Sequence, residues 1–234
     1  MKLSGKKLCI VLLLLVNAVS AFAQSVVQDR KTSQEATAQA EPMQSFVFLA
    51  EGFEEIESLA TVDVLRRGGM DVRTVSINDS REVTGRHGVT VKADQTFGES
   101  DFDRAEWLIL PGGMPGARNL RSSDGLCTLL RKHYASNGRI AAICASPAVV
   151  LATLGILEGK EAVCYPGFED LLVANGAIRR DAPVVVLDKL ITANGPASSL
   201  RFALAILAKS VGEHQAREVG SGMLFYPKSV NFYF

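Results

Sequence analysis

Ala141-Ala142-Ile143-Cys144-Ala145-Ser146-Pro147 decides how this chain is read, because a buried apolar run there meets a helix start with one cysteine between them. Upstream, Arg139-Ile140-Ala141-Ala142-Ile143 has the length and composition of a short buried strand. Downstream, Pro147 is followed by Val149, Val150, Leu151 and Leu154. Proline suits a first helical position because its missing N–H would be unpaired there anyway. Cys144 therefore falls in a tight strand-to-helix turn of the nucleophile-elbow kind, with the unpaired amides of a helix start facing its sulfur. Such amides favour a thiolate, so the turn predicts a cysteine that ionises below the ordinary thiol range. A small core cysteine fits the same stretch, since free cysteine is among the most buried residue types.

Strand and helix signals alternate on both sides of this turn. Residues 45–50, 71–77 and 107–110 read as apolar strands, while 56–67 reads as a helix stopped by Gly68-Gly69. Residues 81–84 and 89–93 flank a turn and form a hairpin. Leu126, Leu129, Leu130, His133 and Tyr134 recur at helical spacing and end at Asn137-Gly138. Strands at 184–187 and 190–192 precede a long apolar helix, 197–208, and a more polar one, 213–219. This alternation implies an α/β fold, a mostly parallel sheet with helices on both faces. Sites in such sheets lie at the carboxyl ends of the strands, which selects four loops: 50–57, 111–116, 144–146 and 193–196.

A chain of 234 residues with a net charge of zero holds one good core, assigned to residues 45–234. Without a basic run there is no electrostatic case for nucleic acid or an anionic membrane, and a small-molecule partner is expected. Residues 1–23 have the plan of a signal peptide. Lys2, Lys6 and Lys7 precede an apolar run over 8–19, and Ala21-Phe22-Ala23 supplies a small-x-small cleavage site. The expectation is export to a periplasm or the exterior, with tethering by an uncleaved leader as the alternative. Residues 24–44 are polar and aperiodic and read as a disordered linker. Cleavage removes Cys9 and leaves Cys127, Cys144 and Cys164, an odd count that keeps at least one thiol free or paired between chains.

Among the loop residues, Glu54 and Glu55 suit a helix start because its dipole favours carboxylates. Glu57 lies a turn further in, where it could lean over the strand ends and partner Cys144 as a proton shuttle. Gly112-Gly113 lacks the pattern of a phosphate loop, but the Gly113 and Ala145 amides could share an oxyanion hole. His87, His133 and His214 stand at none of the selected strand ends, which disfavours a cysteine–histidine protease. No metal-ligand spacing is present, so no metal is expected. Cys164 reads as a structural core cysteine.

The motifs Glu51-Gly52-Phe53-Glu54-Glu55-Ile56-Glu57, Leu110-Pro111-Gly112-Gly113, Ala142-Ile143-Cys144-Ala145 with Pro147, and Asn194-Gly195-Pro196 together resemble the ThiJ/PfpI superfamily, in its DJ-1 branch. The resemblance runs from about Phe46 to the last helix. It implies a flavodoxin-like three-layer α/β sandwich, a homodimer, and Cys144 as a nucleophilic, oxidisable cysteine partnered by Glu57. It also implies an oxyanion pocket from Gly113 and Ala145, with Gly112, Tyr165, Gly195 and Pro196 around it. The activities it implies need no cofactor: glyoxalase chemistry on dicarbonyls such as methylglyoxal, or deglycation of their protein adducts. A redox sensor or chaperone working through Cys144 oxidation is the alternative. Ala145 stands where the protease-like branch carries a histidine, and Tyr165 where animal members place a histidine before the proline.

Overall fold

The computed structural model describes residues 43–226. The leader and nearly all of the linker expected from the sequence lie outside the described residues. The linker's last residue, Gln44, does not belong to it: Gln44 opens the first strand, paired with Asp71.

In chain order the strands are β1 (Gln44–Leu49), β2 (Asp71–Ser76), β3 (Glu82–Thr84), β4 (Thr90–Lys92), β5 (Gln95–Thr96), β6 (Ala105–Leu110), β7 (Arg139–Ile143), β8 (Glu161–Ala162), β9 (Ile178–Arg179), β10 (Val184–Val186) and β11 (Leu190–Ala193). The helices are α1 (Glu55–Arg67), α2 (Gly116–Ser122), α3 (Asp124–Ala135), α4 (Glu169–Ala174), α5 (Ser199–Val211) and α6 (Glu213–Gly222). Seven strands form the main sheet in the order β10-β11-β7-β6-β1-β2-β5. All its pairings are parallel except β10 with β11. This is the flavodoxin-like α/β sandwich, and β3–β4 forms the hairpin expected from the sequence.

The central strands are apolar because both faces of a parallel sheet are covered. Trp107, Leu108, Ile109 and Leu110 of β6 and Ile140 to Ile143 of β7 are all buried. The one polar atom of Trp107, Nε1–H, is satisfied by Ser210 Oγ at 2.8 Å. From β1 the chain first moves outward to β2 and β5, then crosses back to β6 on the other side of β1. That reversal opens a crevice at the carboxyl ends of β1 and β6, the place where open α/β sheets hold their sites. Among the described residues, no helix is long and apolar enough to cross a membrane.

Candidate active site

The elbow follows β7. Cys144 has φ +65, a left-handed conformation uncommon for a residue with a side chain. The surrounding backbone over-determines it, which is how such strain persists. Cys144 N–H donates to Ala193 O at 2.9 Å, and Cys144 O accepts from Tyr165 N–H at 2.7 Å. Ser146, fully buried, donates its hydroxyl to Pro111 O at 2.5 Å and ties the elbow to the loop after β6. Beyond it Pro147–Ala152 winds more loosely than an α-helix, where a regular α-helix was expected from the sequence.

Glu57 reaches this point from α1. Glu54 caps that helix, its Oε2 accepting from Glu57 N–H at 2.8 Å, which matches the role that helix-dipole reasoning assigns to it. Glu57 is fully buried, and its Oε2 accepts the Gly112 N–H at 2.7 Å. No well-aligned hydrogen bond reaches Oε1 from the described residues. Burial lifts the Glu57 carboxyl to about 7, against the lowering effects of the Cys144 thiol, the Gly112 amide and the Arg86 charge.

The expected low thiol ionisation is corrected here. Burial first, and then the charge and hydrogen bonding of Glu57, push Cys144 up to about 12, opposed by the amides of Gly113 and Ala145. The two amides do face the sulfur, as the elbow predicts, but desolvation outweighs them. Much of that upward push comes from an ionised Glu57, so a protonated Glu57 would relieve it. Carboxyl and thiol therefore titrate as one pair, and the proton lost near 7 belongs to the pair.

Gly112 makes the pairing sterically possible. A Cβ there would stand 2.5 Å from Cys144 Cβ, 2.8 Å from Glu57 Oε2 and 3.0 Å from Cys144 Sγ, so any side chain would occupy the space between the two groups. Gly113 has φ +90 and packs directly on the backbone of Gly52 and Glu54. Tyr165 lies beside the elbow through its amide, and its half-exposed ring covers Gly195. Gly195 and Pro196 form the wall behind that ring, and their loop meets the elbow through the Ala193 carbonyl.

Histidine placement differs in one respect from the sequence reading. His87 comes against the first strand-end loop, where its N–H and Nδ1 engage Glu55 at 2.7 and 2.8 Å. The fold thereby gathers donor atoms of Glu54, Glu55 and His87 within 4.8 Å, a cluster invisible in the linear spacing. Its carboxylates already cap α1 and hold His87. His133 is turned to Arg139 O at 3.1 Å, away from the site. Arg86 was missed by sequence reasoning: its charge acts on Glu57 from the β3–β4 turn, and only the Gly85-to-Gly88 turn signal pointed to that loop.

The comparisons agree with this geometry. Residues 43–209 match the model of the DJ-1/PfpI family. A solved structure described as oxidized Toxoplasma gondii DJ-1 superposes with a TM-score of 0.74 at 39% identity, covering 78% of this chain and 98% of that one. "Protein DJ-1 homolog A" of Arabidopsis thaliana is 35% identical over 180 residues, 76% of this chain but 46% of its own length, so the chain spans about half of that relative. "Deglycase PH1704" of Pyrococcus horikoshii is 30% identical over 155 residues, 66% of this chain and 92% of that one. With its fold, elbow and matched residues taken together, this chain belongs to the DJ-1/PfpI family.

Proposed function

We propose that the protein is a cofactor-independent, Cys144-dependent enzyme acting on reactive dicarbonyls or on their protein adducts. One observation carries this reading: a thiol, a carboxyl held near neutrality and two backbone amides converge at the carboxyl ends of β1, β6 and β7. Cys144 adds to the aldehyde carbon of methylglyoxal, and the resulting oxygen is held by the Gly113 and Ala145 amides. Glu57 then moves a proton from that carbon to the neighbouring one, converting the hemithioacetal into a lactoyl thioester. Water cleaves the thioester to lactate and regenerates the thiol, so the net reaction adds one water to methylglyoxal. A peptidase is the poorer fit, because His87 and His133 are bound elsewhere. The deglycase name of the P. horikoshii relative supports the same substrate chemistry.

The test is lactate formation from methylglyoxal by purified protein. Catalytic turnover that Cys144→Ser abolishes supports the reading, and stoichiometric modification without turnover rejects it.

A second reading, a redox sensor or chaperone, is favoured by Glu57 Oε1, which is buried without an aligned partner. A protonated carboxyl there would donate to an oxygen of a Cys144 sulfinate. Peroxide titration followed by mass spectrometry tests it: selective oxidation of Cys144 over Cys127 and Cys164 is expected.

We also propose a homodimer, supported by Ile56 and Leu59, which are exposed one turn apart on α1. Sedimentation of Leu59→Asp as a monomer would support it. Export is proposed from the leader alone, and N-terminal sequencing of secreted material tests cleavage.

A further inference from the structure

Among the described residues the main sheet ends at β10, and that edge is open. Asn194 N–H donates to Pro183 O at 3.1 Å and Leu187 N–H to Leu190 O at 2.8 Å, so the odd-numbered residues turn toward β11. By the alternation of antiparallel pairing, Val184 and Val186 turn their N–H and C=O groups outward. Their side chains share one face and line a groove of about 720 Å³ with Leu204 and Ala208 of α5 and with Phe225 and Tyr226. Val186 is 45% exposed and Tyr226 49%, so the groove is both apolar and uncovered.

The described residues stop at Tyr226, in the wall of this groove, and the chain continues as Pro227-Lys228-Ser229-Val230-Asn231-Phe232-Tyr233-Phe234. Val230, Phe232 and Phe234 recur with the period of a strand. Eight extended residues reach roughly 26 Å, ample to run along a three-residue strand of about 10 Å. We propose that residues 229–234 add a strand to the edge of β10 in the same molecule. Val230, Phe232 and Phe234 then enter the groove, and their backbone pairs with the outward groups of Val184 and Val186. A two-residue connection, Pro227-Lys228, holds the segment at the groove at a high effective concentration. The added strand closes an edge that would otherwise template pairing with other chains.

Amide hydrogen exchange by NMR tests this, comparing the full chain with a chain stopped after Tyr226 and with full-length Phe232→Asp. Val184 and Val186 amides should exchange at least tenfold more slowly in the full chain than in either variant, at every protein concentration. The Val185 amide, on the β11 side, serves as the fold control and should not change. If the shortened chain loses Val185 protection, the exchange rates of Phe232→Asp alone decide between the outcomes. Equal Val184 and Val186 rates in all forms overturn the proposal. Protection that rises with protein concentration also overturns it and assigns the edge to a second copy.

Discussion

Cys127 and Cys144 are both buried and both free, yet they sit in opposite chemical situations. Cys127 lies on the regular helix α3 and donates its S–H to Arg121 O at 3.1 Å, a small apolar residue with its one polar atom satisfied. Cys144 lies in a left-handed elbow with a carboxyl on one side and two amides on the other. Burial is common to both, so burial does not make a site. What distinguishes Cys144 is a backbone turned so that its sulfur meets groups from α1 and from the loop after β6. Those groups oppose each other: the amides favour a thiolate, and Glu57 when ionised forbids it.

The comparison breaks most sharply on activity. Cys144→Ser should lower lactate formation about a thousandfold or more, and Cys127→Ser should leave it within about twofold, in steady-state assays of both. Equal losses would erase the distinction between the two thiols.

The next effect is on stability and its pH dependence. Glu57 is raised from 4.5 to about 7 on folding, so the folded chain keeps a proton that the unfolded chain releases. Stability contributed by that proton is full below 4.5 and is lost as pH rises through about 7. The loss is on the order of 3 kcal/mol. Urea unfolding across this window should show that slope, and Glu57→Gln should remove it. The alkylation rate of Cys144 should rise with a midpoint near 7 as the pair gives up its first proton, a step absent in Glu57→Gln and at Cys127.

Gly112→Ala tests the same pair by sterics. Its methyl would stand 2.5 Å from Cys144 Cβ, so the elbow must shift, at a cost of about 1–3 kcal/mol in thermal or urea unfolding and with loss of turnover. The smallest effect separates the cysteines as structural residues. Cys127→Ala should cost about 1–2 kcal/mol, from a lost S–H donor and a small cavity. Cys144→Ala should cost less, because the thiol it removes faces a carboxylate. Their urea midpoints give the ordering.

The alternation of strand and helix was legible because it is written in short-range periodicity. β6 and β7 are continuous apolar runs, α1 and α3 carry caps and stops, and the hairpin has its turn residues. Helices α2 and α4 were not legible, since seven and six residues are too few for a helical period to emerge. The two-residue strands β5, β8 and β9 escaped for the same reason.

Within the site, the sequence by itself determined which loops meet at the strand ends, and it singled out Cys144, Glu57, Gly112 and Gly113. Local sterics and sheet topology suffice for that. It did not determine the charge state of the thiol, the placing of Arg86 and His87 near the first loop, or which oxygen of Glu57 is held. Those depend on desolvation and on contacts between residues far apart in the chain, such as Gly112 N–H with Glu57 Oε2. Only the packed tertiary structure sets the balance, because the local amides that lower Cys144 compete with a burial that no local stretch encodes.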